Sequence, residues 1–76
     1  MDKNIVGHKI RIYRAMQKPQ MRQAELLAKL QVNGLTIDQS TLSKIENQDR
    51  PVSDIELLII AKTLKVDILW LLGEKD

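Results

Sequence analysis

The segment from residue 38 to residue 47 (DQSTLSKIEN) places the strongest constraint on the fold. On a helical wheel, at about 100° per residue, Leu42 and Ile45 fall on one side and polar side chains fall on the other. Asp38 is the expected N-cap, because its carboxylate can accept hydrogen bonds from the free backbone N–H groups of a first turn. The pattern therefore predicts a short helix over about residues 39–48 with two apolar anchors.

The polar side of this predicted helix carries hydroxyls, amides and one lysine, and it carries no acid. Such groups can form hydrogen bonds with base edges and phosphates in the major groove of DNA. The solvent-facing side of any helix can carry similar residues, so this pattern alone does not identify a DNA-binding helix. The side chains concerned are Gln39, Ser40, Ser43, Lys44 and Asn47.

The chain is short and contains no cysteine. Its 76 residues suffice for one small domain, which we expect to span residues 1–76. Hydrophobic residues make up 43% of the chain and are mostly Leu and Ile, which favours a compact helical fold over disorder. Without cysteine there is no disulfide and no thiolate metal site, and the single histidine, His8, cannot form a metal site alone. We find no catalytic constellation and expect no metal, no cofactor and no enzymatic activity.

Charge is distributed unevenly along the chain, whose net charge is +2. Residues 1–44 hold eight Lys/Arg and three Asp/Glu, giving +5, whereas residues 45–76 hold four and seven, giving −3. A basic first half would orient the molecule toward a polyanion, with chance segregation as the alternative. The N-terminus lacks the apolar run of a signal peptide, and no stretch approaches the roughly 20 apolar residues of a membrane span. We therefore expect a cytoplasmic protein that does not contact membranes.

Apolar residues at intervals of three to four predict two helices before residue 38. The first spans residues 4–17 and is ended by Pro19, since the residue before a proline disfavours the helical conformation. The second begins at residue 22 or 23 and runs to residue 31, and Gly34 follows it as a stop signal. The side chains expected to face the core are Val6, Ile10, Tyr13, Met16 or Gln17, Leu26, Leu27 and Leu30.

Two further helices are predicted after residue 50. Ser53 and Glu56 have the spacing of a capping box, which predicts a helix over residues 54–64. Asp67 is the expected N-cap of a short last helix over residues 68–72. Five short helices with short connections predict an all-α domain.

These segments, in this order and spacing, resemble the Xre/Cro-type helix-turn-helix domains of phage and bacterial repressors. The resemblance is carried by QAELLAKL, STLSKIEN, RPVSDIELLIIAKTLKV and DILWLLG, and it covers about residues 6–73. It implies a five-helix lambda-repressor-like fold in which the second helix crosses the DNA backbone and the third enters the major groove. It also implies a sequence-specific regulator of transcription that binds double-stranded DNA, and we expect a repressor.

The resemblance assigns roles to individual side chains. Arg22, Lys18 and Arg50 are phosphate candidates, with ordinary surface charge as the alternative for each. Packing beside Leu42 is the alternative role for Thr41. The expected base-reading residues are Gln39, Ser40 and Lys44, and the expected DNA-backbone contacts are Arg22, Gln23, Thr41, Ser43 and Asn47.

One further assignment is structural. Arg14 and Glu46 match a family pair in which an arginine of the first helix bonds a glutamate of the third helix. If it is buried, this pair fixes the DNA-reading helix against the rest of the domain. Arg11 is the competing partner for Glu46.

The sequence departs from the family pattern at two places. Residues 33–38 replace the usual tight turn between the second and third helices with a longer loop, in which we expect Leu35 and Ile37 to pack onto the core. Gln48 stands where the family usually has glycine, so Asn47 or Gln48 must make that turn, and asparagine is the better suited. The loop leaves the tilt of the third helix, and hence its base contacts, open.

Family members usually bind two-fold symmetric operators as dimers, and the last helix suggests a dimer contact. It contains five apolar residues in a row, more than so short a helix can bury in one small core. We expect Leu69, with Trp70 or Leu72, to form a homodimer contact, and the alternative is that Trp70 only covers the intramolecular core. The alternative function is a protein-interaction module, such as an antitoxin or a transcriptional adaptor with the same fold.

Overall fold

The computed structural model of the chain describes residues 3–75, which contain five helices and no strand. The helices are α1 (Gly7–Met16), α2 (Gln23–Val32), α3 (Gln39–Glu46), α4 (Asp54–Leu64) and α5 (Ile68–Leu71). Helix α3 packs against α1 and α2, and α4 packs against α2 and α5. The predicted all-α, five-helix fold with a lengthened α2–α3 loop is confirmed. None of the helices in residues 3–75 has the length and apolar character needed to cross a bilayer.

The core receives side chains from all five helices, from Val6 just before α1 and from one residue of a connecting loop. Helix α3 contributes only Leu42 and Ile45, which agrees with the two anchors predicted from its sequence. The loop residue is Met21, which sequence analysis did not place in the core. The buried apolar residues are Val6, Ile10, Met21, Leu26, Leu30, Leu42, Ile45, Ile60, Ala61, Leu64 and Leu71.

Helix α1 begins three residues later than predicted, at Gly7 rather than at residue 4. The cause is the side chain of Asn4, whose Oδ1 accepts from the backbone N–H groups of Val6 at 3.1 Å and Gly7 at 2.7 Å. This local bond competes with helical pairing and holds the preceding residues outside the helix. At the other end Met16 is exposed and Gln17 is half-buried, so the inward position there is Gln17.

The α2–α3 loop is attached to the core in the predicted way. Leu35 and Ile37 are half-buried and pack against the core. Gly34 adopts a φ of 101°, a conformation that glycine tolerates readily. The Nδ2 of Asn33 donates to Thr63 Oγ1 at 2.9 Å, which ties the start of the loop to α4.

The turn after α3 is made by Gln48, not by Asn47, so the preference for asparagine was wrong. Gln48 has a φ of 64°, whereas Asn47 has a φ of −86°. The left-handed conformation costs a residue other than glycine about 1–2 kcal/mol. Two bonds offset this cost: Gln48 Nε2 donates to the carbonyl of Asn4 at 3.1 Å, and the Gln48 carbonyl accepts from the Lys3 N–H at 2.9 Å.

The capping signals read from the sequence in the second half of the chain are present. The Ser53 hydroxyl accepts from the Glu56 N–H at 3.1 Å, and the Glu56 carboxylate accepts from the Ser53 N–H at 2.9 Å. Asp67 caps α5 by accepting from the Leu69 N–H at 2.8 Å. These caps fix where α4 and α5 begin.

Candidate nucleic-acid interface

Helix α3 has a buried inner side and an exposed outer side. Leu42 is 1% exposed and Ile45 is 0% exposed, so the inner side is fixed in the core. The outer side bears no carboxylate, because Glu46 faces inward and is 4% exposed. Thr41 and Ser43 lie at the edges and are half-buried, while the exposed side chains are Gln39, Ser40, Lys44 and Asn47.

The first turn of α3 is capped by Asp38. Its Oδ1 accepts from the backbone N–H of Thr41 at 2.8 Å, as predicted from the sequence. Hydrogen bonds from the hydroxyl and the N–H of Thr41 hold the pKa of the Asp38 carboxyl below its ordinary value. The backbone N–H of Thr41 is therefore taken up by the cap.

A bidentate ion pair connects α1 to the inner side of α3. Arg14 Nε lies 2.7 Å from Glu46 Oε2, and Arg14 Nη2 donates to Glu46 Oε1, also at 2.7 Å. A third donor, Nη1, bonds the carbonyl of Met21 at 3.0 Å. Of the two arginines that sequence analysis left open, Arg14 is the partner of Glu46, and Arg11 is exposed.

Gln23, the first residue of α2, joins this ion pair to the outer side of α3. Its Nε2 donates to Glu46 Oε1 at 3.1 Å and lies 3.2 Å from the Ser43 hydroxyl. Its Oε1 accepts from Gln39 Nε2 at 3.1 Å. A carboxylate can only accept hydrogen bonds, so the amide nitrogen of Gln23 must face Glu46 and its oxygen must face Gln39.

The bond to Gln23 leaves one donor and one acceptor of the Gln39 side chain free. One N–H of its amide is used by Gln23, which leaves the second N–H and the amide oxygen available at the surface. A donor and an acceptor side by side on one amide match the N7 and N6 groups of adenine in the major groove. The arrangement is therefore chemically able to read a base edge.

An open groove of about 480 Å³ lies where the N-terminal ends of α2 and α3 meet. Arg22 is the exposed N-cap residue of α2 and makes no side-chain cap bond. The N-terminal end of a helix favours anions, because its first N–H groups have no partners within the helix. The groove is lined by Arg14, Gln20, Met21, Arg22, Gln23, Ala24 and Gln39.

Arg50 has a different role from the one suggested by its charge. Its guanidinium bonds both carboxylate oxygens of Glu56, at 2.9 Å and 3.2 Å. The hydrogen bond from Arg50 lowers the pKa of Glu56, and the N–H of Ser53 acts in the same direction. Arg50 therefore joins the capping box of α4, and the spacing of Arg50 and Glu56 was a signal that sequence analysis did not use.

Two residues at the crossing of α1 and α3 were not predicted from the sequence. Asn4 donates its Nδ2 to the carbonyls of Ile45 at 3.1 Å and Arg50 at 2.7 Å. Gly7 is buried, and an ideal Cβ built on it would lie 2.8 Å from the carbonyl carbon of Ile45 and closer still to the carbonyl oxygen. The glycine near the start of α1 was the available signal of a close helix crossing.

Five helices around one core, with a short helix held by its inner side and polar on its outer side, define a lambda-repressor-like helix-turn-helix domain. A family model described as helix-turn-helix matches residues 12–71, and the chain belongs to this Xre/Cro-like helix-turn-helix family. The protein is thus a DNA-binding helix-turn-helix regulator. Neither a search of curated proteins nor a search of solved structures found a match.

Proposed function

We propose that the protein is a transcriptional repressor that recognises a specific double-stranded DNA sequence with α3 in the major groove. The observation that supports this most strongly is the division of α3 into a buried inner side and an exposed, acid-free outer side. Its backbone is fixed by Leu42, Ile45 and the Arg14–Glu46 pair, so the outer side chains would meet DNA without a reorganisation of the domain.

The proposed base-reading residues are Gln39, Ser40 and Lys44, and all three are exposed. Gln39 is suited to adenine by its free N–H and oxygen, and the ammonium of Lys44 is suited to guanine O6 or N7. Ser40 can donate to or accept from any base. Among the three, Gln39 is the most constrained, because Gln23 fixes the orientation of its amide.

The proposed DNA-backbone residues differ in how free their side chains are. Arg22 and Asn47 are exposed and can reach phosphates directly. The side chains of Gln23 and Ser43 bond one another, so Gln23 would contribute its backbone N–H at the start of α2. Thr41 is half-buried and would contribute least. The groove at the start of α2 would accept one phosphate.

A sharp test uses fluorescence anisotropy with DNA from upstream of the gene, over a salt series and with scrambled duplex as competitor. Gln39→Ala and Lys44→Ala should each lose preference at one base pair, worth about 1–3 kcal/mol. Lys62→Ala is the matched control, because Lys62 is an exposed lysine on α4. It should change the affinities for all duplexes alike.

Two outcomes would contradict the proposal. Unchanged base preference in both α3 variants would place the reading surface elsewhere. Equal, weak binding to all duplexes, including those selected from a random pool, would favour the alternative function as a protein-interaction module.

We propose further that the protein binds a two-fold symmetric operator as a homodimer through α5. Leu69 is 47% exposed, although it lies in a run of five apolar residues. Trp70 and Leu72 are half-buried and pack partly on the core, so they would form the border of the contact. Lys9 Nζ lies 4.7 Å from the centroid of the Trp70 ring and covers it in part.

Sedimentation equilibrium of Leu69→Glu tests this contact. The variant should remain monomeric at concentrations at which the wild-type protein dimerises, because a carboxylate would be desolvated at the contact. Leu58→Glu is the control: Leu58 on α4 is 58% exposed, more than Leu69. Loss of the dimer in Leu58→Glu alone would place the contact on α4, and a monomeric wild-type protein would refute a homodimer.

A further inference from the structure

Asn4 precedes α1 and lies apart from the proposed DNA-reading residues, yet its side chain uses all of its hydrogen-bonding capacity. Its two amide hydrogens go to the carbonyls of Ile45 and Arg50, at 3.1 Å and 2.7 Å. Its oxygen accepts from the N–H groups of Val6 and Gly7, at 3.1 Å and 2.7 Å. One amide thus caps the start of α1 and binds two carbonyls at the end of α3 and just beyond it.

Two further features bring the same segments together. The backbone N–H of Lys3 donates to the carbonyl of Gln48 at 2.9 Å, and the side-chain Nε2 of Gln48 donates to the carbonyl of Asn4 at 3.1 Å. At Gly7 the backbones of α1 and α3 approach so closely that a Cβ would meet the Ile45 carbonyl. We call the bonds made by Lys3, Asn4 and Gln48 the N-terminal clamp.

The two ends of α3 are held differently. At its N-terminal end the helix follows a loop, and its bond to α2 is the exposed contact between Gln39 and Gln23. Its Asp38 cap bonds α3 itself and leaves the direction of the helix free. At its C-terminal end, the carbonyl of Ile45 accepts from the Gln48 N–H at 3.0 Å and also from Asn4, a half-buried side chain of a distant segment. The stronger restraint on direction is therefore at the C-terminal end.

We propose that Asn4 is a positioning residue that sets the tilt of α3, and that through this tilt it determines which DNA sequences the protein selects. The second half of the proposal rests on the DNA-reading function proposed above. Because a loop rather than a tight turn joins α2 to α3, the start of α3 is weakly restrained. The N-terminal clamp fixes the other end of α3 and thereby its orientation. The Arg14–Glu46 pair bonds the last residue of α3 to α1 at the same end of the helix.

The Asn4→Asp variant removes the bonds from Asn4 to the carbonyls of Ile45 and Arg50 but keeps the cap of α1. The carboxylate keeps an oxygen that accepts from the first N–H groups of α1, but it cannot donate to the carbonyls of Ile45 and Arg50. Asn33→Asp is the matched control, because it makes the same charge change and removes one amide bond, to Thr63, at another site. Gln48→Gly is a second variant that removes one clamp bond while relieving the positive φ, so it should fold readily.

The first measurement needs no DNA. Residual dipolar couplings of the backbone amides report the direction of each helix. In Asn4→Asp, and to a smaller extent in Gln48→Gly, α3 should rotate by more than the scatter among the other four helices, while its internal couplings still fit one helix. Asn33→Asp should leave α3 in place. A folded Asn4→Asp or Gln48→Gly protein with α3 unmoved would overturn the proposal.

The second measurement is the ratio of affinity for the preferred duplex to affinity for scrambled duplex, which cancels the charge change. Asn4→Asp should lower this ratio at least about tenfold, the equivalent of one base contact, and Asn33→Asp should not. A rotated α3 with an unchanged ratio would refute the role in sequence selection. A rotated α3 in a protein that prefers no sequence even as wild type would refute the proposed function and leave the positioning role established.

Discussion

Removal of the Arg14 side chain should destabilise the domain strongly. In Arg14→Met the carboxylate of Glu46 would remain in a site where it is 4% exposed. Its remaining protein donor would be Gln23 Nε2, at 3.1 Å. An ionised carboxylate held in so little water is costly, because one amide hydrogen bond replaces a full hydration shell.

The magnitude follows from the geometry of the pair. Loss of one partner of a buried pair costs about 3–5 kcal/mol, and the burial of Glu46 places Arg14→Met within that range. Glu46→Leu should cost less, because the Arg14 side chain is 14% exposed and keeps its bond to the carbonyl of Met21. In the double variant both charges are gone, so it should be more stable than Arg14→Met, with a coupling energy of about 3 kcal/mol.

Urea denaturation followed by circular dichroism at 222 nm measures these differences for all four proteins. An unchanged dependence of the free energy of unfolding on urea would show that the denatured states are comparable. A loss of 3 kcal/mol corresponds to a fall in Tm of about 12–24 °C for a domain of this size. Additive effects of under about 1 kcal/mol for each single variant would refute the reasoning, since exposed pairs behave in that way.

Three further predictions concern the ends of helices. Gly7→Ala should destabilise the domain by about 1–3 kcal/mol in the same urea assay, because its Cβ has no room against α3, whereas His8→Ala, at an exposed position beside it, should change little. Asp38→Ala should cost about 1 kcal/mol and Asp38→Asn much less, since asparagine can also cap α3; equal losses would contradict capping. The bond from Arg50 holds the pKa of Glu56 below its ordinary value of 4.5, so the stability it contributes is fully present above pH 4.5 and is lost as the pH falls through the lowered value. The stability difference between wild type and Glu56→Gln should therefore shrink below pH 4.5, and a difference that stays constant to pH 2 would exclude this linkage.

Signals within one turn of helix were the ones that sequence analysis used correctly. The capping box of Ser53 and Glu56 and the cap at Asp38 join residues three positions apart, so the chain itself brings the partners together. The two apolar anchors of α3 followed from helical periodicity for the same reason. The start of α1 was misplaced although Asn4 lies only three positions from Gly7, because apolar periodicity does not register the local bonds of the Asn4 side chain.

The positions of the candidate interface residues were predicted in part. Periodicity placed Gln39, Ser40 and Lys44 on the outer side of α3, where the structure has them. Periodicity could not choose between Arg11 and Arg14 as partner of Glu46, because that choice depends on how α1 is rotated against α3. It also could not show that Gln23 orients the amide of Gln39, since these residues meet only after α2 and α3 pack.

The sequence by itself determined which segments become helices, which side of each is apolar, and the family to which the chain belongs. These properties depend on residues within about four positions of one another, and on a pattern of such residues along the chain. Only the tertiary structure decided that Gln48 makes the turn after α3 and that Asn4 holds the end of that helix. Asn4 and Ile45 are 41 positions apart, and a hydrogen bond between them exists only where packing of the core brings α1 and α3 together. The free energy that this hydrogen bond contributes cannot be predicted from either residue alone, because it depends on how far the packed helices exclude water.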